Sequence, residues 1–252
     1  MINIIKESST RIKTGIVLIL AMLILGYIDS YFLFWLVFGI MLMISISESK
    51  KLFGLKSDSI YVYTAILWLA AFFYPMPQDL IFIVAIGYAS QLAYKKTLDQ
   101  KMFLPLLYPT ASYLFLLALY SEYGVMTLFW LLIIVASTDI GAYFVGKTYG
   151  RTLFSETSPN KTIEGVVGGV GIAVLFGTIF LPEGLNVVSA IVISSVVSFA
   201  SVFGDLFESY LKREAGVKDS GRILPGHGGI LDRTDGYLFG AIVMLVLLRI
   251  MI

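Results

Sequence analysis

The chain contains no cysteine, which excludes disulfides, thiolate metal sites and cysteine nucleophiles together. A bound metal must therefore rest on oxygen ligands. Histidine is nearly absent as well, with His227 the sole example. Charge is scarce: 14% of the 252 residues are Asp, Glu, Lys or Arg, where a soluble domain carries about 25%. Hydrophobic residues make up 58% and the mean hydropathy is +0.88. These values place the chain in a bilayer, where length is counted in spans of roughly 20 residues. The net charge of +1 says nothing about partners, so only the distribution of charge is informative. Aromatic side chains at 14% fit interface belts and helix packing and identify no cofactor.

Apolar runs fall at about 14–28, 31–47, 59–74, 80–94, 102–120, 125–146, 164–181, 187–206 and 231–250, which predicts an all-α polytopic membrane protein with about nine transmembrane helices. Lys6, Arg11 and Lys13 precede the first run in the manner of a secretory signal. No small-residue cleavage site follows and a second run starts at Tyr31, so the segment is read as an uncleaved first span.

Of the 18 Lys and Arg residues, 17 lie in alternate connections: the N-terminal tail, the loop with Lys50, Lys51 and Lys56, that with Lys95, Lys96 and Lys101, that from Lys147 through Arg151 to Lys161, and the segment from Lys212 to Arg233. The intervening connections have none. The positive-inside rule then puts the basic loops and the N-terminus in the cytoplasm and the C-terminus outside. The first three basic loops need do no more than fix topology and attract anionic lipid.

Residues 209–235 hold ten charged or imidazole side chains and five glycines in a chain that is otherwise mostly apolar. Asp205 closes the eighth run, and Glu208 and Ser209 follow at i+3 and i+4 on one helical face. Asp232 and Asp235 open the ninth run, again on one face, and Asp139 sits inside the apolar sixth run. A carboxylate at bilayer depth costs a few kcal/mol. Each acid alone fits an ion pair equally well; together they fit a hard cation such as Mg2+, which takes carboxylate and phosphate oxygens.

Gly226, Gly228 and Gly229 around His227 would let backbone N–H groups approach a phosphate, as would a plain tight turn. Gly165 and Gly169 form a small-residue face for helix packing, within the chain or in a homodimer.

Ser209, Lys212-Arg213, Lys218-Asp219, Pro225-Gly226-His227-Gly228-Gly229, Asp232-Arg233 and Asp235 together resemble the signature of the phosphatidate cytidylyltransferase (CDP-diacylglycerol synthase) family. The run S-P-N-K-T-I-E-G, with Lys161, Thr162 and Glu164, resembles a second motif of that family, and D-I-G-A-Y-F-V-G-K-T-Y-G-R, with Asp139, Lys147 and Arg151, a third. Asn160 stands where the family commonly has a second basic residue. The resemblance covers about residues 130–236, so the chain divides into N-terminal helices, 1–123, and a C-terminal catalytic part, 124–252.

The resemblance implies that CTP and phosphatidate give CDP-diacylglycerol and pyrophosphate in a bacterial cell membrane, at a site facing the cytoplasm. Asp205 and Asp232 would lead the metal ligands, with Asp219, Asp235 and Asp139 behind them, for Mg2+ with room for a second cation. Lys218 and Arg233 join Asp205, Asp219 and Asp232 as catalytic candidates. Lys161, Thr162, Ser209, Lys212, Arg213, Arg222, Gly226, His227, Gly228 and Gly229 would bind substrate. His227 reads as a phosphate contact or turn residue before a base, because phosphatidate is already ionised near neutral pH. Nucleic acid is not among the expected partners. Two other readings share some of these residues: a CTP-dependent enzyme acting on another lipid or polyprenol phosphate, and a cation-coupled transporter with ions at Asp139, Asp205 and Asp232.

Overall fold

A computed structural model describes residues 2–95 and 98–252, with side chains from Lys13 onward, so Lys6, Arg11 and Lys96 of the basic connections lie outside the described side chains. The helices are α1 (Ile2–Ile28), α2 (Tyr31–Leu52), α3 (Ser59–Phe73), α4 (Leu80–Tyr94), the single turn α5 (Phe103–Pro105), α6 (Ser112–Tyr149), α7 (Ile163–Ile179), α8 (Val187–Glu214) and α9 (Leu231–Met251). A π-helical turn, Leu106–Ala111, joins α5 to α6.

Among the described residues four helices are long and apolar enough to cross a membrane: Tyr31–Leu52, Gln100–Tyr149, Val187–Glu214 and Leu231–Met251. The 15-residue α3 reaches only about 22 Å, short of a hydrocarbon core of roughly 30 Å. Large aliphatic side chains of α1, including Val17, Ile19, Leu23 and Ile24, are more than half exposed. Such a surface suits lipid, since it would be disfavoured by about 25 cal/mol per Å² in water. The protein is a helical membrane protein.

Most of the apolar runs fall largely within helices, although 59–74 and 164–181 overrun α3 and α7 and 102–120 crosses the turns before α6; elsewhere helices outlast the runs. α2 continues past residue 47 through Glu48 and Ser49 to put Lys50 and Lys51 in its last turn, where cations suit the negative end of the helix dipole. α8 carries Asp205, Glu208, Ser209, Lys212 and Arg213 as helix, not loop. The connection expected at 121–124 is a break inside α6 at Gly124, whose φ of 77° few residues but glycine adopt. One element departs from the all-α expectation. The basic connection after α6 folds as an antiparallel hairpin of β1 (Leu153–Ser155) and β2 (Ser158–Thr162), with Leu153 opposite Thr162. In this two-stranded sheet both strands are edges, and an edge position is where Pro159 can sit without breaking a ladder.

The chain forms two compact units, one comprising the residues up to Leu117 with Glu214–Arg233, the other Ala118–Arg213 with Thr234–Ile252. The glycine-rich segment thus clusters with the N-terminal helices. In the first unit α2 and α3 exchange indole hydrogen bonds: Trp35 Nε1 donates to the Trp68 carbonyl at 2.9 Å and Trp68 Nε1 to that of Trp35 at 3.1 Å. Gly39 makes room, because a Cβ there would overlap the Trp68 indole. In the second unit Trp130 Nε1 donates to the Gly177 carbonyl at 2.8 Å, and the Thr138 and Ser198 hydroxyls meet at 2.7 Å. The Gly165 and Gly169 face of α7 packs against α6 around Thr138, Ala142 and Gly146.

Candidate active site

In the first unit, the residue preceding α9 is Ile230, whose side chain cannot accept a hydrogen bond from the helix's first N–H groups. That role falls to Glu48, while Asp232 binds the backbone that leads into the helix. Asp232 Oδ2 accepts from Ser220 N–H, Ser220 Oγ and Gly229 N–H, each at 2.8 Å. Glu48 of α2 accepts from Ile230 N–H at 3.0 Å on Oε1 and from Leu231 N–H at 2.9 Å on Oε2. Negative charge at a helix N-terminus is favoured by the dipole as well as by the bonds.

These anchors close the segment 220–231 into a loop. Its tip is a turn in which His227 N–H donates to the Leu224 carbonyl and Leu224 N–H to that of Gly228, both at 2.9 Å. Gly226 and Gly228 hold φ values of 75° and 85°, which their neighbours could not adopt without strain. Arg233 Nε returns from α9 to the His227 carbonyl at 2.9 Å. The loop walls a pocket of about 540 Å³ lined by Lys218, Asp219, Arg222, His227 and Arg233. Lys218 and Arg222 also line a second hollow of about 520 Å³ together with Lys51. Lys218, Asp219, Arg222 and Arg233 are exposed.

The second unit holds the acids. Asp205 and Glu208 of α8 and Asp235 of α9 each bring a carboxylate oxygen to within 4.8 Å of the others. Small residues make this convergence steric rather than accidental: a Cβ on Gly204 would overlap the Asp235 carbonyl, and one on Gly236 would press Ser201 at 3.3 Å. Two lysines partly balance the cluster. Lys161 Nζ lies 2.6 Å from Asp205 Oδ2, and Lys212 Nζ lies 2.6 Å from Glu208 Oε2. Ser209 Oγ donates to Asp205 Oδ1 at 3.4 Å. Asp139 of α6 is within electrostatic range of Asp235. Such a set suits a hard divalent cation.

Other motif residues serve the backbone here. Thr162 Oγ1 accepts from Gly165 N–H at 3.1 Å and so caps α7. Glu164 accepts from the N–H groups of Arg151 and Thr152 at 3.1 and 3.2 Å and from Thr152 Oγ1 at 2.8 Å, tying the hairpin to α7. Lys147 Nζ reaches the Tyr143 hydroxyl at 3.4 Å, and Arg213 is exposed near the end of α8. Glu48 lies one residue beyond the second apolar run and outside the family motifs. The available signal was a carboxylate at the rim of a span, where charge is costly. Glu208 shares the Asp205 face, as helical spacing predicts, and joins the acid cluster, which the motif pattern does not signal.

These features define a class: a helical membrane protein that gathers carboxylates on its long helices and cations on one glycine-rich loop. The chain belongs to the cytidylyltransferase family, whose model matches residues 9–251. It is 42% identical over 250 residues to a phosphatidate cytidylyltransferase of Helicobacter pylori, covering 98% of this chain and 93% of that one. A Bacillus subtilis phosphatidate cytidylyltransferase is 52% identical over 122 residues, covering 47% of this chain and 45% of the relative. Arabidopsis thaliana phosphatidate cytidylyltransferase 4, chloroplastic, is 50% identical over 109 residues, 42% of this chain and 28% of that one.

Proposed function

We propose that the protein transfers the cytidylyl group of CTP to phosphatidate, giving CDP-diacylglycerol and pyrophosphate. The observation that carries this reading is the match to phosphatidate cytidylyltransferases along nearly the whole chain, joined to a loop whose exposed cations line an open pocket. An ionised phosphate oxygen of the lipid attacks the α-phosphorus of CTP, the new P–O bond forms, and the bond to the bridging oxygen breaks to release pyrophosphate. No general base is required, since the nucleophile carries its charge already. Lys218, Arg222 and Arg233 hold and neutralise the nucleotide phosphates, with the His227 side chain beside them in the pocket. Positioning and charge neutralisation carry such transfers.

Mg2+ fits the oxygen-only cluster of Asp205, Glu208 and Asp235; Asp139, Asp219 and Asp232 are further ligand candidates. When bound, it would offset negative charge on the reacting phosphates. Lys161 and Lys212 offset part of the acids' mutual repulsion. The basic connections face the cytoplasm of a bacterial cell membrane, with all nine apolar stretches in the bilayer. Arg249, the cation outside those connections, donates to Glu122 Oε2 at 2.9 Å and is thereby neutralised.

The test is purified protein incubated with labelled CTP, phosphatidate and Mg2+, followed by lipid extraction. Label should enter the lipid phase only when all three are present, and more slowly with a polyprenyl phosphate as acceptor. No labelled lipid with any acceptor, and solute movement by proteoliposomes under an ion gradient, would replace the enzyme with a transporter.

A further inference from the structure

Glu48 lies in the second helix, 172 residues or more before the partners it binds, and is 4% exposed. Its carboxylate takes N–H groups from Ile230 and Leu231, and the Ser220 hydroxyl, whose single proton is shared with the nearer Asp232, lies 3.3 Å from Oε2. Both ends of the glycine-rich loop thus converge on one side chain of the N-terminal helices. The loop is shaped to receive it: a Cβ on either Gly221 or Gly229 would overlap Glu48 Oε1. Asp232 gathers the same two ends from α9 through Ser220 and Gly229. Residues 222–228, held between these clamps, include Arg222 and His227 of the pocket.

We propose that Glu48 is a positioning residue for nucleotide binding: it touches neither substrate, and fixes the loop in the shape that presents Arg222 and His227 to the CTP phosphates. This rests on the reading of the loop as the nucleotide-phosphate site. Charge-assisted bonds to backbone N–H groups are stronger than neutral ones, and an isosteric amide can replace only one of the two oxygens as acceptor. The glycines, the Ser220 hydroxyl and the carboxylate form one interlocking unit, so their effects should couple.

The experiment is steady-state kinetics in mixed micelles, varying CTP and phosphatidate separately. Arg222→Ala should raise KM for CTP, which reports on the loop itself. Glu48→Ala should raise KM for CTP by about 10- to 100-fold, as loss of an outer-shell support does, and leave KM for phosphatidate unchanged. Glu48→Gln should recover part of the loss. Gly221→Ala should be harmful in the wild-type background and less so beside Glu48→Ala, because the methyl enters the space the carboxylate leaves. Should Glu48→Ala fail to insert, Glu48→Gln and Ser220→Ala give the same reading in milder form. A raised KM for CTP in Arg222→Ala with wild-type values in both Glu48 variants would overturn the inference alone. A lower kcat with both KM values unchanged would reduce Glu48 to a stability role and overturn it as well. An unchanged KM for CTP in Arg222→Ala would overturn the loop reading and this inference with it.

Discussion

The two acidic clusters use the same side chain in opposite ways. Around the loop, Glu48 and Asp232 face backbone N–H groups and a serine hydroxyl, so each negative charge is absorbed by donors and by a helix N-terminus. Across Asp205, Glu208 and Asp235, carboxylates face one another, with lysines on two of the three. The first arrangement holds a shape and is complete without a ligand. The second brings like charges together, a cost that a bound cation would relieve. A count of acids in a motif cannot separate these roles; their partners can.

The largest effect that would sharpen the contrast is expected at Asp235→Asn. The swap keeps volume but takes a unit of charge from the facing carboxylates, so CDP-diacylglycerol formation should fall by roughly 100- to 1000-fold, the range seen when a site loses one electrostatic contributor. The variant should still insert and should lose sensitivity to Mg2+ concentration. Wild-type turnover would show that the acids only pair with lysines.

Asp232→Asn tests whether the contrast is strict. Its amide oxygen can go on accepting from Ser220 and Gly229, which preserves the loop, and only the charge is lost. A drop in turnover of about 100-fold with an unchanged thermal midpoint would mean that Asp232 clamps the loop and also serves the cation. Full activity would confine it to the clamp.

Much of this was legible in the chain, and for a physical reason. Runs of apolar residues betray helices because nothing else satisfies backbone groups in lipid, so the helical frame followed from composition. The face shared by Asp205, Glu208 and Ser209 followed from helical spacing alone. Two features did not. Glu48 bonds to residues more than 170 positions away, and no local pattern encodes such a pairing. The hairpin at 153–162 lies in a basic, proline-bearing connection where the periodicity is too short to read. The end of an apolar run also proved a poor marker for the end of a helix: Glu208, Lys212 and Arg213 are good helix formers, so α8 continues after its hydrophobicity stops.

The smallest expected effect concerns Thr162, which the family resemblance puts with the substrate and whose hydroxyl oxygen caps α7. Thr162→Ala leaves Gly165 N–H without its acceptor, and a lost N-cap costs about 1 kcal/mol. For a chain of this size that amounts to roughly 2–4 °C in thermal midpoint. Lys161, the neighbour that reaches Asp205 at 2.6 Å, keeps its place on the β2 edge of the hairpin, so KM for CTP should not move. A lowered midpoint with unchanged KM assigns the hydroxyl to the helix; a raised KM with an unchanged midpoint assigns it to the substrate, and would join the hairpin to the acid cluster as part of the binding surface.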